Sequence, residues 1–271
     1  MPTFTSSRHQ LHYQQVGVGP QPVVLLHGSF ASSRWWQPVQ ALLPREQITS
    51  YAPDLPGCGL SERPDQPESY AVDALCDAAA DLIEGLGLWQ VHLVGHSLGA
   101  AVALAYALGH PGRLRSLTLV SAPSPQGTPT PPEGYGLLKQ MRSDRGLLLQ
   151  ALASIMPTHA PDSFFQSLVD DAQSQAAVAF TAAAWALEQW RVERPALQQL
   201  RLPVLLIWGD RDHIVERPVQ TDLLLSIPGA NHLEVLVGCG HSPMVERPEA
   251  FGQVLLNFLA DSEAEYVMRN A

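Results

Sequence analysis

The stretch "LVGHSLGAA", residues 93 to 101, sets Ser97 between two glycines, where an apolar run stops and an Ala-rich run begins. A serine hydroxyl is a weak nucleophile on its own. Chemistry at Ser97 requires a base for its proton, a carboxylate to orient that base, and donors for the oxyanion formed on attacking a carbonyl. The pattern G-x-S-x-G suits this use in one context, a sharp strand-to-helix turn with the serine at its apex. "VHLV" before the motif and "LGAAVALAYALG" after it supply that context. Gly95 and Gly99 would leave room for neighbouring chain to pass close to the turn.

Ten histidines compete for the role of base. His92 lies inside a strand-like run, His110 at a helix end before Pro111, and His9 and His12 in the amino-terminal strands. His27 precedes Gly28 at a strand end and reads as a residue that shapes the turn. His241, in "GCGHSPMVERPEAF", follows the last strand-like run and stands last in the chain order serine, acid, histidine. It is the candidate base. "LLIWGDRDHIV" ends the preceding strand and offers two carboxylates, Asp210 and Asp212. Asp212 is preferred, because Asp210 directly follows Gly209 in a tight turn and is placed to bond local backbone amides. "HGSFASS" after "VVLL" would aim the backbone N–H of Ser29 into the site, beside the N–H of Leu98.

The elements that must position these groups alternate along the chain. Continuous apolar runs such as "PVVLL" predict strands buried on both faces. Between them, "SRWWQPVQALLP" predicts a short helix closed by Pro44, and "SYAVDALCDAAADLIEGLGL" a longer one stopped by glycines. After "LRSLTLVSA" the alternation breaks at five prolines from Pro123 to Pro132, and from about Leu137 to Leu200 the pattern is helical only. It resumes with "LPVLLIWGD", a helix near Val219 to Leu225, "HLEVLVGCG" and a final helix around Phe251 to Leu259. Strand–helix alternation implies a doubly wound, mostly parallel sheet, with the helical block inserted as a cap over the carboxyl ends of the strands. The expected division is core over 1–123, cap over 124–197 and core again over 198–271.

Composition narrows the function classes. With 271 residues, 46% hydrophobic and 15% charged, the chain is globular and needs no disulfide or metal to build a core. A net charge of -10 disfavours nucleic acid and anionic membrane surfaces as partners. Three cysteines, Cys58, Cys76 and Cys239, without CxxC spacing argue against a disulfide framework or zinc site. "MPTFTSSRHQ" lacks the pattern of a signal peptide, so a cytoplasmic protein is expected.

The pieces "HGSFASS", "DLPGCGLS", "GHSLG", "GDRDHIV" and "GHSPMVERPEAF" occur in the order and at the spacings of the α/β-hydrolase fold family, which the chain resembles over nearly its whole length. The resemblance implies an eight-stranded sheet, a Ser97–Asp212–His241 triad and an oxyanion hole from the amides of Ser29 and Leu98. It looks most like small esterases, lactonases and carbon–carbon bond hydrolases, acting on a small-molecule substrate without cofactor or metal, as a monomer or small homo-oligomer. The first turn lacks the extra glycines, H-G-x-G-P-G, of the carbon–carbon hydrolases. A ligand receptor of low turnover is the alternative from a different class. Phe30, Phe164, Trp185 and Trp190 are the expected bulky residues of a pocket under the cap, Cys239 a buried thiol, and Glu246 an anchor for the helix that follows it.

Overall fold

The computed structural model describes residues 2–270. Eight strands form one sheet: β1 (Thr3–Thr5), β2 (Gln10–Val16), β3 (Gln21–Leu26), β4 (Ile48–Pro53), β5 (Val91–His96), β6 (Leu114–Val120), β7 (Val204–Gly209) and β8 (Ala230–Leu236), in the order β1-β2-β4-β3-β5-β6-β7-β8. The β1–β2 and β2–β4 pairs are antiparallel and all others parallel. β4 pairs on one side of β3, and the chain then crosses over to β5 on the other. The strand order therefore reverses between β3 and β5, which opens a crevice at their carboxyl ends. His27 to Phe30 and Ser97 lie at those two ends.

Helices α1 (Gln37–Gln40), α2 (Val72–Gly85) and α3 (Leu98–Gly109) connect the first strands. Helices α4 (Pro132–Ser143), α5 (Arg145–Ile155), α6 (Ser163–Ser174), α7 (Ala179–Gln189) and α8 (Arg194–Leu197) lie between β6 and β7 as an inserted helical cap. Helices α9 (Arg217–Ser226), α10 (Pro243–Glu246) and α11 (Pro248–Asn270) complete the chain. Alternate strand residues feed two cores. Val24, Leu26, Leu93, Leu117 and Leu206 pack with α2 and α3, while Val23, Leu25, Val94, Val120 and Ile207 pack with Trp35, Trp36 and α11. Both sheet faces are covered, which is why these strands are continuous apolar runs. In the cap, Asp144 Oδ1 accepts the Leu147 N–H at 2.9 Å and Asp162 Oδ1 the Phe165 N–H at 2.8 Å, capping α5 and α6.

Two elements differ from the sequence expectation. "SRWWQPVQALLP" forms a 3-10 turn, Ser33–Trp36, followed by the single turn of α1. The last helix runs well beyond Leu259, to Asn270. Apolar spacing fades there, but "DSEAEYVMRN" has no glycine or proline to stop a helix. Arg115 Nη1 donates to Glu263 Oε2 at 2.8 Å and ties the extension to β6.

Gly99 lets the first turn of α3 approach the end of β3. A Cβ there would lie 2.5 Å from the carbonyl oxygens of both Leu26 and His27, so α3 starts against the backbone of β3 only because the side chain is missing. Gly99→Ala is expected to cost about 2–3 kcal/mol by overpacking. Gly109→Ala, where an added Cβ meets nothing within 4 Å, should be neutral or stabilising by less than about 1 kcal/mol. Urea unfolding of the two variants beside the wild type measures both, and equal effects would contradict the close approach.

Candidate active site

Ser97 caps the start of α3 with φ 51° and ψ -118°. Three non-glycine residues have positive φ among those described: Ser97, Phe30 (58°) and Ser121 (47°). They follow β5, β3 and β6, three neighbouring parallel strands. Such backbone costs on the order of 1–3 kcal/mol per residue and persists where its surroundings hold it. At Ser97 the hold is explicit. Its N–H donates to Val120 O at 2.9 Å, and its carbonyl accepts the N–H groups of Ala100 and Ala101. A Cβ on Gly95 would strike Gly99 O at 2.2 Å. A small residue is required on each side of the serine.

His241 is fixed at three points. Its Nδ1 lies 2.9 Å from Asp212 Oδ2, its N–H donates to Ile155 O at 2.8 Å, and its carbonyl accepts from His96 Nε2 at 2.8 Å. With Nδ1–H donated to the carboxylate, Nε2 is left as the basic nitrogen. The other carboxylate oxygen of Asp212 accepts the N–H groups of Ile214 at 2.9 Å and Val215 at 3.0 Å. Burial pushes the Asp212 carboxyl up, but His241 and these two amides outweigh it and hold the group below its ordinary value. Asp210 stays outside this arrangement, its Oδ1 accepting the N–H of Gly238 at 2.6 Å. The ring of His96, the residue before Ser97, lies 4.9 Å from the ring of His241. This brings the base to the turn that carries the serine, whose Oγ has no hydrogen bond among the described residues.

The N–H of Leu98 opens α3, where helix geometry supplies no intrahelical acceptor. Ser29 lies on the β3 loop, and its N–H has no backbone acceptor among the described residues. His27 holds the loop: Nδ1–H donates to Gly28 O at 2.8 Å, and Nε2 accepts the N–H of Leu55 at 2.9 Å. Asp54 ties the adjacent loops together, accepting the N–H groups of Ser33 at 2.7 Å and Leu60 at 3.0 Å.

A narrow cavity of about 20 Å³ borders Ser29 and Leu98, roughly the space of one water. Of the four bulky residues expected in a pocket, Phe30 lines it, facing Phe180 edge-on at 5.6 Å. The others lie elsewhere. Phe164 packs edge-on against His159, Trp190 joins the core cluster that α7 shares with α2 and α3, and Trp185 packs against that cluster. The cap wall is made instead by Gln175, Ala179 and Ala183, residues too small or too polar to attract notice in the sequence.

The side chain of Glu246 bonds to the histidine loop and the cap rather than to α11. Its Oε1 accepts the Gly240 N–H at 2.8 Å, and its Oε2 accepts the hydroxyl of Thr158 at 2.8 Å, joining the histidine loop to the cap. His96 was equally hidden, since a residue inside G-x-S-x-G carries no signal of a partner 145 positions away. No group of three or more His, Cys, Asp and Glu able to hold a metal occurs among the described residues, and no described helix is long and apolar enough to cross a membrane.

Residues 23–254 match a family model described as the alpha/beta hydrolase family. A 2-hydroxy-6-oxononadienedioate/2-hydroxy-6-oxononatrienedioate hydrolase of Pseudomonas putida is 30% identical over 263 residues, covering 92% of this chain and 91% of the relative. Among solved structures, an esterase from Exiguobacterium antarcticum superposes with a TM-score of 0.83 at 23% identity, covering 93% of this chain and 96% of that one. The enol-lactonase of Burkholderia xenovorans LB400 gives 0.82 at 20% identity, covering 96% and 100%.

His96 supplies a test of the site's electrostatics. Burial, aided by the neighbouring His241, lowers it from 6.5 to about 3. The folded state therefore keeps His96 neutral while the unfolded chain takes up a proton. Its contribution to stability is complete above pH 6.5 and is lost progressively as pH falls toward 3. Between pH 7 and pH 5 the wild type should lose about 2 kcal/mol more unfolding free energy than His96→Asn. Urea titrations at the two pH values measure the difference, and equal losses would contradict the buried neutral ring.

Proposed function

Since the chain belongs to the alpha/beta hydrolase family, we propose that it is a serine hydrolase cleaving a carboxylic ester or lactone of a small, mainly apolar substrate. One observation carries the reading: the ring of His241, paired with buried Asp212, lies 4.9 Å from the ring of His96, the residue before a serine held in a strained strand-to-helix turn. Ser97 Oγ attacks the substrate carbonyl as His241 Nε2 takes its proton, and Asp212 steadies the imidazolium. The N–H groups of Ser29 and Leu98 receive the oxyanion, each contributing on the order of 3 kcal/mol to the transition state. His241 returns the proton to the departing alkoxide, leaving an acyl-serine. A water that gives its proton to His241 then releases the acid and restores Ser97. Helices α4 to α8 act as the lid over the acyl chain, whose burial contributes about 0.8 kcal/mol per methylene.

A second reading gives the same three residues a carbon–carbon bond to hydrolyse. It is favoured by the Pseudomonas putida relative, which is named for a dioate. The walls of the cavity weigh against it. They include no lysine or arginine to meet a carboxylate, and an unpaired buried charge is costly.

The test is pre-steady-state hydrolysis of p-nitrophenyl butyrate. A burst of p-nitrophenol equal to the enzyme concentration is expected, and Ser97→Ala should lower kcat by several orders of magnitude with the fold intact. Asp212→Asn should cost about a thousandfold or more, and Asp210→Asn far less. Near-normal turnover in Ser97→Ala, or reversed losses at the two aspartates, would refute the assignment.

A further inference from the structure

The polar side chains on the wall of the cavity beside Ser29 and Leu98 are almost all engaged. Both ring nitrogens of His27 have partners, and Tyr70 Oη donates to Pro64 O at 2.8 Å. The Ser29 hydroxyl and Gln175 are the exceptions, and of the two only Gln175 is buried. It is 7% exposed, and its Nε2 has no hydrogen-bond partner. Burying an amide donor unpaired is costly, and native proteins rarely tolerate it without a use.

The orientation of this amide is set by its surroundings. Cys58 Sγ lies 4.0 Å from Gln175 Oε1 with the thiol donating. Burial pushes the Cys58 thiol up to about 12, so the S–H is retained at neutral pH. In this arrangement the amide oxygen faces the sulfur and the NH2 group is free. The backbone beside it is pinned as well: the N–H of Ala176 donates to Gly57 O at 2.7 Å, locking this end of the cap to the loop after β4. A free donor on a fixed backbone, in a cavity without lysine or arginine, matches a neutral acceptor better than a carboxylate.

We propose that Gln175 determines specificity by donating a hydrogen bond from Nε2 to a neutral oxygen in the acyl part of the substrate: a keto, ether or ring oxygen. This rests on the reading of Ser97 as the nucleophile, with the acyl oxygen taking the one-water space of the cavity beside Ser29 and Leu98. Acyl chains bearing such an oxygen are then preferred over hydrocarbon chains of equal length, and Gln175 is left unpaired when the oxygen is missing.

The experiment compares kcat/KM for p-nitrophenyl 4-oxopentanoate against pentanoate, and for 5-oxohexanoate against hexanoate, in wild type, Gln175→Met and Gln175→Glu. Intrinsic ester reactivity cancels between variants. The keto-to-alkyl ratio should fall about tenfold in Gln175→Met for at least one chain length. It should fall further in Gln175→Glu, whose carboxylate offers only acceptors. Ratios unchanged in both variants at both lengths would overturn the proposal. They would mean that a fixed water satisfies the amide. A parallel NMR titration of the methyl esters into Ser97→Ala, with and without Gln175→Met, reads the same preference as Kd without turnover. If the wild type hydrolyses none of the esters, the serine-hydrolase reading fails by itself. The Kd ratio then decides the role of Gln175: a keto preference lost in Gln175→Met upholds it, and no preference overturns it.

Discussion

The site depends on one constraint, the left-handed backbone at Ser97. A serine there points out of a turn only if β5 ends at the residue before it and α3 begins at the residue after it, and that requires α3 to start against the carbonyls of Leu26 and His27. Gly99 permits the approach, and the bond from Ser97 N–H to Val120 O anchors the turn to β6. The strain is shared with Phe30 and Ser121 at the ends of the flanking strands. Concentrating strained residues where the strand order reverses leaves backbone amides and one hydroxyl facing a common crevice. The two-faced hydrophobic core holds the strands in register beneath them.

The histidine loop is built differently. It has no regular element of its own around His241 and borrows rigidity from three sources: Asp212 after β7, His96 at the end of β5, and the carbonyl of Ile155 at the end of α5. Glu246 adds a second tie to the cap through Thr158. The cap thus holds the backbone of His241 directly, and displacing α5 would disturb that residue.

The fold was largely legible from periodicity. Parallel strands buried on both faces read as unbroken apolar runs, and α3 follows β5 so abruptly that "VGHSLGAA" marks both boundaries. The turn argument separates Asp212 from Asp210 in the sequence, and in the structure Asp212 bonds His241 while Asp210 bonds the Gly238 amide. What stayed hidden were contacts between distant segments. His96, Glu246 and Gln175 have ordinary local sequence, and their importance arises from partners far along the chain. Size misled at the pocket. Large aromatics suggest a wall, but Trp185 and Trp190 fill core space, whereas alanines on α7 let the cap approach the loop after β3.

The central claim is that Ser97 alone is activated, and that His241 activates it. Labelling with a fluorophosphonate, followed by intact mass and peptide mapping, tests it most directly, because the reagent reacts with a serine only where a base and oxyanion donors converge. The account predicts a single adduct, on Ser97, formed far more slowly in His241→Ala and absent in Ser97→Ala. Stoichiometric labelling at another residue, or labelling of Ser97 at the same rate without His241, would contradict it.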